Sequence, residues 1–138
     1  MADKVEFELV SPSKLVVSKP VEMVVVPGGD GDLGVLPGHA PMIATVRPGT
    51  IAIFEGGQVV ERIFVAGGFV EITPDRVAVL AEVAEPVTGI DRAACEQALK
   101  DAKDDLGMAR GEAEKARAEE AFAVAEARLS AVASPVYA

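Results

Sequence analysis

The sequence has few of the residues from which catalytic and metal sites are built. It contains one cysteine, one histidine and no tryptophan. A single cysteine excludes an internal disulfide and any CxxC metal or redox motif, and one histidine without a positioned partner is a poor acid–base candidate. No carboxylate pair, catalytic triad or ligand cluster is evident. The sequence therefore predicts a non-catalytic protein without a metal site or a cofactor.

Basic residues are also scarce. Thirteen Lys and Arg stand against 22 Asp and Glu, which gives a formal net charge of −9. Binding to nucleic acid requires clustered cations that displace counterions from phosphates, and anionic lipid surfaces attract the same residues. We therefore expect no nucleic-acid partner, and membrane association only through another protein.

Long apolar segments are missing as well. The longest, Leu33–Val46, is interrupted by Pro37, Gly38 and Pro41 and is shorter than the ~20 residues that a membrane helix requires. The N-terminal segment MADKVEFELV lacks the apolar stretch of a secretory signal. These features predict a soluble cytoplasmic protein, and with half of its residues apolar the chain can form a core.

The composition changes near Pro86 and divides the chain into two parts, residues 1–86 and residues 87–138. The first part holds eight of the nine prolines and alternating apolar and polar residues, which is typical of half-buried strands. Gly56-Gly57 predicts a hairpin turn. Closely spaced short strands favour a β-sandwich or barrel. The predicted strands are Val5–Val10, Lys14–Ser18, Val21–Val26, Ile43–Val46, Gly49–Glu55, Gln58–Val65, Gly68–Thr73 and Arg76–Ala84.

The second part, a linker followed by helices, predicts an antiparallel helical hairpin. Asp91 is the expected N-cap of a first helix, Arg92–Leu106. Gly107 and Gly111 bracket a break, and a second helix is expected over Glu112–Val132.

Small residues dominate the faces with which these two helices are expected to meet. Alanine buries little area, so such a hairpin is weakly stabilised and could open. The predicted contact residues are Ala94, Ala98, Leu99, Ala102 and Leu106 in the first helix, and Ala118, Phe122, Ala125, Leu129 and Val132 in the second.

A glycine-rich segment, Pro27–Pro41, is the most conspicuous motif. It cannot be a phosphate loop, because no GK[ST] follows and no helix opens after the glycines. As a calcium loop it has Asp30 and Asp32, but Pro41 occupies the position of the required Glu. Two interpretations remain, a connection between strands or a binding loop. For His39, a structural or interface role is favoured over catalysis.

The same segment carries a resemblance to a known family. The residues Gly31-Asp32-Leu33-Gly34-Val35-Leu36-Pro37-Gly38-His39-Ala40-Pro41, then Arg47-Pro48-Gly49 and Phe64–Ile72, resemble the epsilon subunit of bacterial and chloroplast F-type ATP synthases. The resemblance covers essentially the whole chain. It implies an α+β protein in two parts, an N-terminal antiparallel β-sandwich of about ten strands followed by a C-terminal helical hairpin.

The resemblance also implies a function. An epsilon subunit is a non-catalytic part of the rotating central stalk; it binds the gamma shaft through its sandwich, rests on the membrane c-ring and helps couple proton flow to ATP synthesis. A peripheral position on the cytoplasmic face of the bacterial inner membrane follows. By the match to the family motif, the loop facing the c-ring and the foot of gamma contains Asp30, Gly31, Asp32, Gly34 and His39.

The hairpin of some family members opens, rises along the shaft into the alpha/beta catalytic head and restrains ATP hydrolysis. In this chain Lys115, Arg117 and Arg128 are the cations that an open second helix could offer an acidic head. From the residues alone, a solvated face with local ion pairs is the simpler interpretation of these charges.

Some relatives bind ATP on the folded hairpin through an I/L-D-x-x-R-A motif, which suggests an ATP-sensing module as the alternative function. Here Ile90 and Asp91 fit, but Ala94 and Cys95 stand at the Arg and Ala positions, and an arginine is displaced to Arg92. This degenerate motif predicts no tight ATP binding.

Overall fold

The computed structural model describes residues 3–137 as ten strands in two sheets, a short 3-10 turn and two helices. The predicted α+β organisation is confirmed. The strands are β1 (Val5–Ser11), β2 (Lys14–Val21), β3 (Met23–Gly28), β4 (Gly31–Val35), β5 (Met42–Thr45), β6 (Gly49–Glu55), β7 (Gln58–Ala66), β8 (Phe69–Ile72), β9 (Arg76–Leu80) and β10 (Val83–Pro86). The turn Val87–Gly89 precedes α1 (Arg92–Met108) and α2 (Glu112–Ala133).

The two sheets have the strand orders β2-β1-β9-β8-β5 and β10-β7-β6-β3-β4. Every named strand pair is antiparallel except β1 with β9, which is parallel. The expected antiparallel sandwich is therefore correct but for one pair.

The core lies between the sheets and follows from the alternation along the strands. In β1, Val5, Phe7 and Leu9 are buried, whereas Glu6 is exposed. β7 differs because it is covered on both faces. Alternate residues of β7 point to opposite faces: one set joins the core between the sheets, and the other set, which includes Phe64, packs towards the helices. Because both faces are covered, the second half of β7 is a continuous apolar run.

Two strand predictions were wrong. The glycine-rich segment is not only a connection, because Gly31–Val35 forms β4 and pairs with β3 in a hairpin. Glycines obscure the alternation there, yet Val35 is fully buried opposite Val24. The predicted strand Arg76–Ala84 is two strands, β9 and β10, since the chain crosses from the first sheet to the second around Ala81.

The helices begin and end near the predicted residues. The N–H of Ala93 donates to the Asp91 carboxylate at 3.0 Å, which confirms Asp91 as the N-cap of α1. Gly107 lies inside α1 rather than at the break. The chain reverses at Gly111, whose φ of 78° favours glycine.

The hairpin packs against the second sheet mainly through α2, which contacts β6 and β7. In α1 the predicted contact face was partly wrong. Ala94 and Ala98 are exposed, and the covered positions are Cys95, Leu99, Ala102 and Leu106. The predicted face of α2 is partly buried at every position, and a further residue, Ala131, is buried against the sheet. Within residues 3–137 no helix is both long and apolar enough to cross a membrane.

Candidate docking surfaces

Asp32, on β4, is held from both sides by hydrogen bonds. Its Oδ1 accepts from Arg47 Nη2 at 2.6 Å, and its Oδ2 accepts from the Tyr137 hydroxyl at 2.6 Å. Arg47 also donates to the carbonyl of Gly28 at 2.6 Å, which fixes the guanidinium against the β3–β4 turn. Partial burial acts to raise the pKa of Asp32, but the hydrogen bonds from Tyr137 and Arg47 outweigh it and keep that pKa below its ordinary value. Asp32 is therefore an ionised hydrogen-bond acceptor whose carboxylate is held in a fixed orientation.

The five residues predicted to share one loop lie in two places. Asp30 is in the β3–β4 turn, while Gly31, Asp32 and Gly34 are on β4, so this part is a strand hairpin and not a loop. His39 lies in the following connection, where the neighbouring N–H of Gly38 donates to the Pro74 carbonyl at 2.8 Å. The described contacts of its imidazole include one hydrogen bond, from Nδ1 to the Ala40 carbonyl at 2.7 Å.

A cleft separates the β3–β4 hairpin from edge strand β5. Its volume is about 320 Å³, and Asp30 and Asp32 line one wall while Met42 and Ile43 line the other. Ile43 is 68% exposed. Carboxylates beside exposed apolar side chains at the end of two sheets are suited to a protein segment with a basic residue.

The outer face of the first sheet carries an exposed apolar row that the sequence reasoning missed. Cross-strand register aligns Leu15, Val10, Leu80 and Phe69 from β2, β1, β9 and β8. Leu80 and Phe69 are each 46% exposed and Leu15 is 57% exposed. An apolar row across four strands is a typical feature of a docking surface. Apolar residues at the outward positions of alternating strands were the available signal.

Among the predicted cations, Arg128 is already engaged in the folded hairpin. Its Nε and Nη2 donate to the two Glu85 oxygens at 2.8 and 3.1 Å, and its Nη1 lies 3.5 Å from the sulfur of Cys95. This contact joins α2 to β10 and α1, and the hydrogen bond with Glu85 raises the pKa of Arg128. Lys115 and Arg117 are exposed on α2.

The residues of the degenerate nucleotide motif each have a structural role. Ile90 packs into the cluster beneath the hairpin, Asp91 caps α1, and Arg92 pairs with Glu96 one turn later at 3.2 Å. Among the described residues no group of three or more potential ligands is placed to hold a metal ion. Absence of tight ATP binding stays a prediction.

The C-terminal segment makes contacts for which the sequence contained no signal. Arg62 on β7 donates from Nε to the Val136 carbonyl at 2.8 Å and from Nη2 to the Tyr137 carbonyl at 3.2 Å. The rings of Tyr137 and Phe54 are in edge contact, with centroids 5.7 Å apart. Val136 and Tyr137 are thus bound to strands of the second sheet.

A β-sandwich with this strand order, followed by a helical hairpin, defines the class of protein. Comparison of the chain with known proteins identifies the family. Residues 4–87 match the family model described as ATP synthase, Delta/Epsilon chain, beta-sandwich domain. The ATP synthase epsilon chain of Rhodospirillum rubrum is 55% identical over 131 residues, which are 95% of this chain and 98% of the relative. That of Paramagnetospirillum magneticum is 53% identical over 96% of this chain and 100% of the relative. The chain belongs to the family of ATP synthase epsilon chains, and the resemblance seen in the sequence is confirmed.

Solved structures show that the fold is shared more widely. A chain of the Euglena gracilis mitochondrial ATP synthase OSCP/F1/c-ring complex superimposes with a TM-score of 0.81 at 23% identity, over 94% of this chain and 81% of that chain. A chain of the Tetrahymena thermophila ATP synthase central stalk/c-ring gives a TM-score of 0.68 at 17% identity, over 94% and 97%.

Proposed function

We propose that this chain is a non-catalytic rotor subunit of an F-type ATP synthase, which couples the c-ring to the gamma shaft during proton-driven ATP synthesis. The observation that carries the proposal is 55% identity to an ATP synthase epsilon chain over nearly the full length of both chains. The relatives are bacterial, which supports a peripheral position on the cytoplasmic face of the inner membrane.

Two surfaces fit the two rotor partners. The apolar row of Leu15, Val10, Leu80 and Phe69 suits the gamma shaft, because a rigid joint that transmits torque requires well-packed apolar contact. The cleft beside Asp32 suits the polar loops of the c-ring, where a basic group would form a charge-assisted hydrogen bond with the carboxylate.

The hairpin is the regulatory part in this proposal. Opened end to end, its two helices would reach about 60 Å at ~1.5 Å per residue, enough to extend along a shaft. Lys115, Arg117 and Arg128 would then meet the alpha/beta head. Arg128 must first leave Glu85, so the folded hairpin withholds one of the three cations.

The first experiment is assembly of the purified chain with the gamma subunit. We expect a stable complex by size-exclusion chromatography, and we expect Phe69→Asp to abolish it because a charge replaces a half-exposed ring in the apolar row. Val60→Asp, which changes a similarly exposed residue on β7, is the control and should assemble normally. Failure of the unaltered chain to bind gamma would contradict the proposal.

The second experiment tests regulation in the assembled enzyme. A chain ending at Thr88 keeps the sandwich and lacks both helices. If the hairpin restrains hydrolysis, this truncation raises the ATPase rate while the complex remains assembled. An unchanged rate would show that the hairpin is not an appreciable brake.

A further inference from the structure

The end of α2 is followed by a short segment that returns to the sandwich. α2 ends at Ala133, and Val136 and Tyr137 then lie against β4, β6 and β7 through the contacts with Asp32, Phe54 and Arg62. Three hydrogen bonds and one aromatic contact therefore join a two-residue segment to three strands of one sheet. A terminal segment without a binding site would fray, because nothing would offset the entropy of ordering it.

We propose that Val136 and Tyr137 form a C-terminal latch, which fastens the end of α2 to the sandwich through a binding site made by Asp32, Phe54 and Arg62. The latch is an intramolecular interaction surface whose occupant is the chain's own terminal segment. Its release weakens the attachment of α2, and with it the hairpin, to the second sheet.

The binding site recognises the backbone carbonyls, the aromatic ring and the hydroxyl group of the segment. Arg62 binds two successive backbone carbonyls, a contact for which a planar guanidinium with several N–H donors is suited and a lysine ammonium is not. Phe54 contacts the aromatic ring of Tyr137, and Asp32 accepts the phenolic hydrogen. Arg47 orients the Asp32 carboxylate from the opposite side. The site thus recognises an aromatic ring that carries a hydroxyl group.

The latch matters because the rest of the contact between hairpin and sheet is small. The α2 residues packed towards Phe64 and Ala66 are Val124, Ala127, Leu129, Val132 and Ala131, of which only Ala131 is buried and the others are partly buried. Partly buried side chains remove only part of their apolar surface from water, so the polar contacts at the end of α2 add substantially to its attachment.

A consequence that rests on the proposed function concerns Asp32. The same carboxylate is proposed to face the c-ring, and its two oxygens are already taken by Arg47 and Tyr137. A basic group of the ring that binds Asp32 competes with the Tyr137 hydroxyl and therefore weakens the latch. Seating on the ring and release of the hairpin are coupled in this way, and the coupling is reciprocal.

The chain contains its own probe of hairpin release. Cys95 is the only cysteine of the sequence; it is 1% exposed and packed with Phe64, Ile90 and Ala131 under the hairpin. A thiol reagent reaches it only when the hairpin leaves the sheet, so the labelling rate measures the open fraction. The measurement uses the isolated full-length chain.

Graded variants test the latch. Tyr137→Phe removes one hydroxyl and should raise the Cys95 labelling rate about threefold, a modest factor because the bond is partly exposed to solvent. Arg62→Lys should act in the same direction, and deletion of residues 135–138 should give at least about a tenfold increase by removing all of these contacts. The double variant Asp32→Asn/Tyr137→Phe should exceed the larger single effect only slightly, since Tyr137→Phe removes the bond that Asp32→Asn weakens.

Glu8→Gln is the matched control, because it removes another partly exposed carboxylate that pairs with an arginine, Arg76, on the other sheet. It should label at the rate of the unaltered chain. The latch is overturned if the truncated chain and Tyr137→Phe also label at that rate while their circular dichroism is unchanged.

In the assembled enzyme, Tyr137→Phe should raise Cys95 labelling less than in the isolated chain, because the ring already competes for Asp32. An equal ratio in both states would overturn the coupling. Graded labelling of the isolated chain supports the latch even if the chain fails to bind gamma, so failure of the proposed function and failure of the latch give different results.

Discussion

The sandwich and the hairpin contain the same kinds of apolar residue, but they are stabilised by different amounts of buried apolar surface. Phe7, Leu9, Ile51 and Ile53 are fully enclosed between two sheets. In α1 and α2 the buried residues are Cys95, Ala102 and Ala131. Because the free energy of burial scales with apolar area, we expect the sandwich to be rigid and the hairpin to detach more readily. The proposed function, torque transmission by the sandwich and regulation by the hairpin, requires both properties.

The largest expected effect is a difference in the free energy of unfolding lost by one substitution in the sandwich and one in the hairpin. Phe7→Ala opens a cavity in the sandwich core and should cost about 3–5 kcal/mol of the free energy of unfolding. Phe122→Ala, at a half-buried site on α2, should cost about 1 kcal/mol and leave the sandwich transition unchanged. Denaturant unfolding followed by circular dichroism measures both. Equal losses would contradict the division into a rigid and a detachable part.

The next effect concerns the attachment of the hairpin by Arg128. Arg128→Gln removes both hydrogen bonds to Glu85 and should weaken docking by about 1 kcal/mol, since the pair is partly exposed and its charges are screened. The Cys95 labelling rate should then rise about fivefold. Arg117→Gln, at an exposed position of the same helix, is the control and should have no effect. A similar increase for Arg117→Gln would show that charge, and not the Glu85 contact, controls docking.

A smaller effect follows from the titration of the latch. The hydrogen bond to Asp32, together with partial burial, raises the pKa of Tyr137, the only tyrosine of the chain. Asp32→Asn should therefore lower that pKa towards its ordinary value, measured by tyrosinate absorbance. Glu8→Gln should leave it unchanged. An unshifted pKa in Asp32→Asn would show that the hydroxyl does not depend on this carboxylate.

The sign of the pH dependence follows from the same two groups. Because the pKa of Tyr137 is raised, its hydroxyl stabilises the latch fully below the ordinary tyrosine pKa. This stabilisation is lost as pH rises through the raised pKa. Because the pKa of Asp32 is lowered, its carboxylate stabilises the latch fully above the ordinary aspartate pKa. This stabilisation is lost as pH falls through the lowered pKa. Cys95 labelling, corrected for thiolate fraction, should therefore be slowest between about pH 4 and about pH 10.

The smallest expected effect is that of ATP on the isolated chain. Ile90, Asp91 and Arg92 have structural contacts, so calorimetry should detect no tight binding. Added ATP should leave the Cys95 labelling rate unchanged. Micromolar binding, or slower labelling in ATP, would instead favour an ATP-sensing hairpin that closes on nucleotide.

Local patterns predicted much of the fold and little of the binding geometry. Alternation in β1, the Gly56-Gly57 turn and the Asp91 cap depend on neighbours in sequence, and each prediction was correct. β4 was missed because two of its five residues are glycine, which leaves no alternation to detect. The covered face of α1 was misassigned because the spacing of alanines does not reveal which of two neighbouring faces meets α2.

By itself, the sequence determined the class of the protein and its membership of the ATP synthase epsilon family, since these rest on periodicity and on a contiguous motif; its division near Pro86 stays a prediction. Only the tertiary structure decided that Leu15, Val10, Leu80 and Phe69 form one row and that Tyr137 binds Asp32. The physical reason is separation along the chain. Asp32 and Tyr137 are 105 positions apart, and no local preference of either residue encodes a contact that exists only after the sheets and helices have packed.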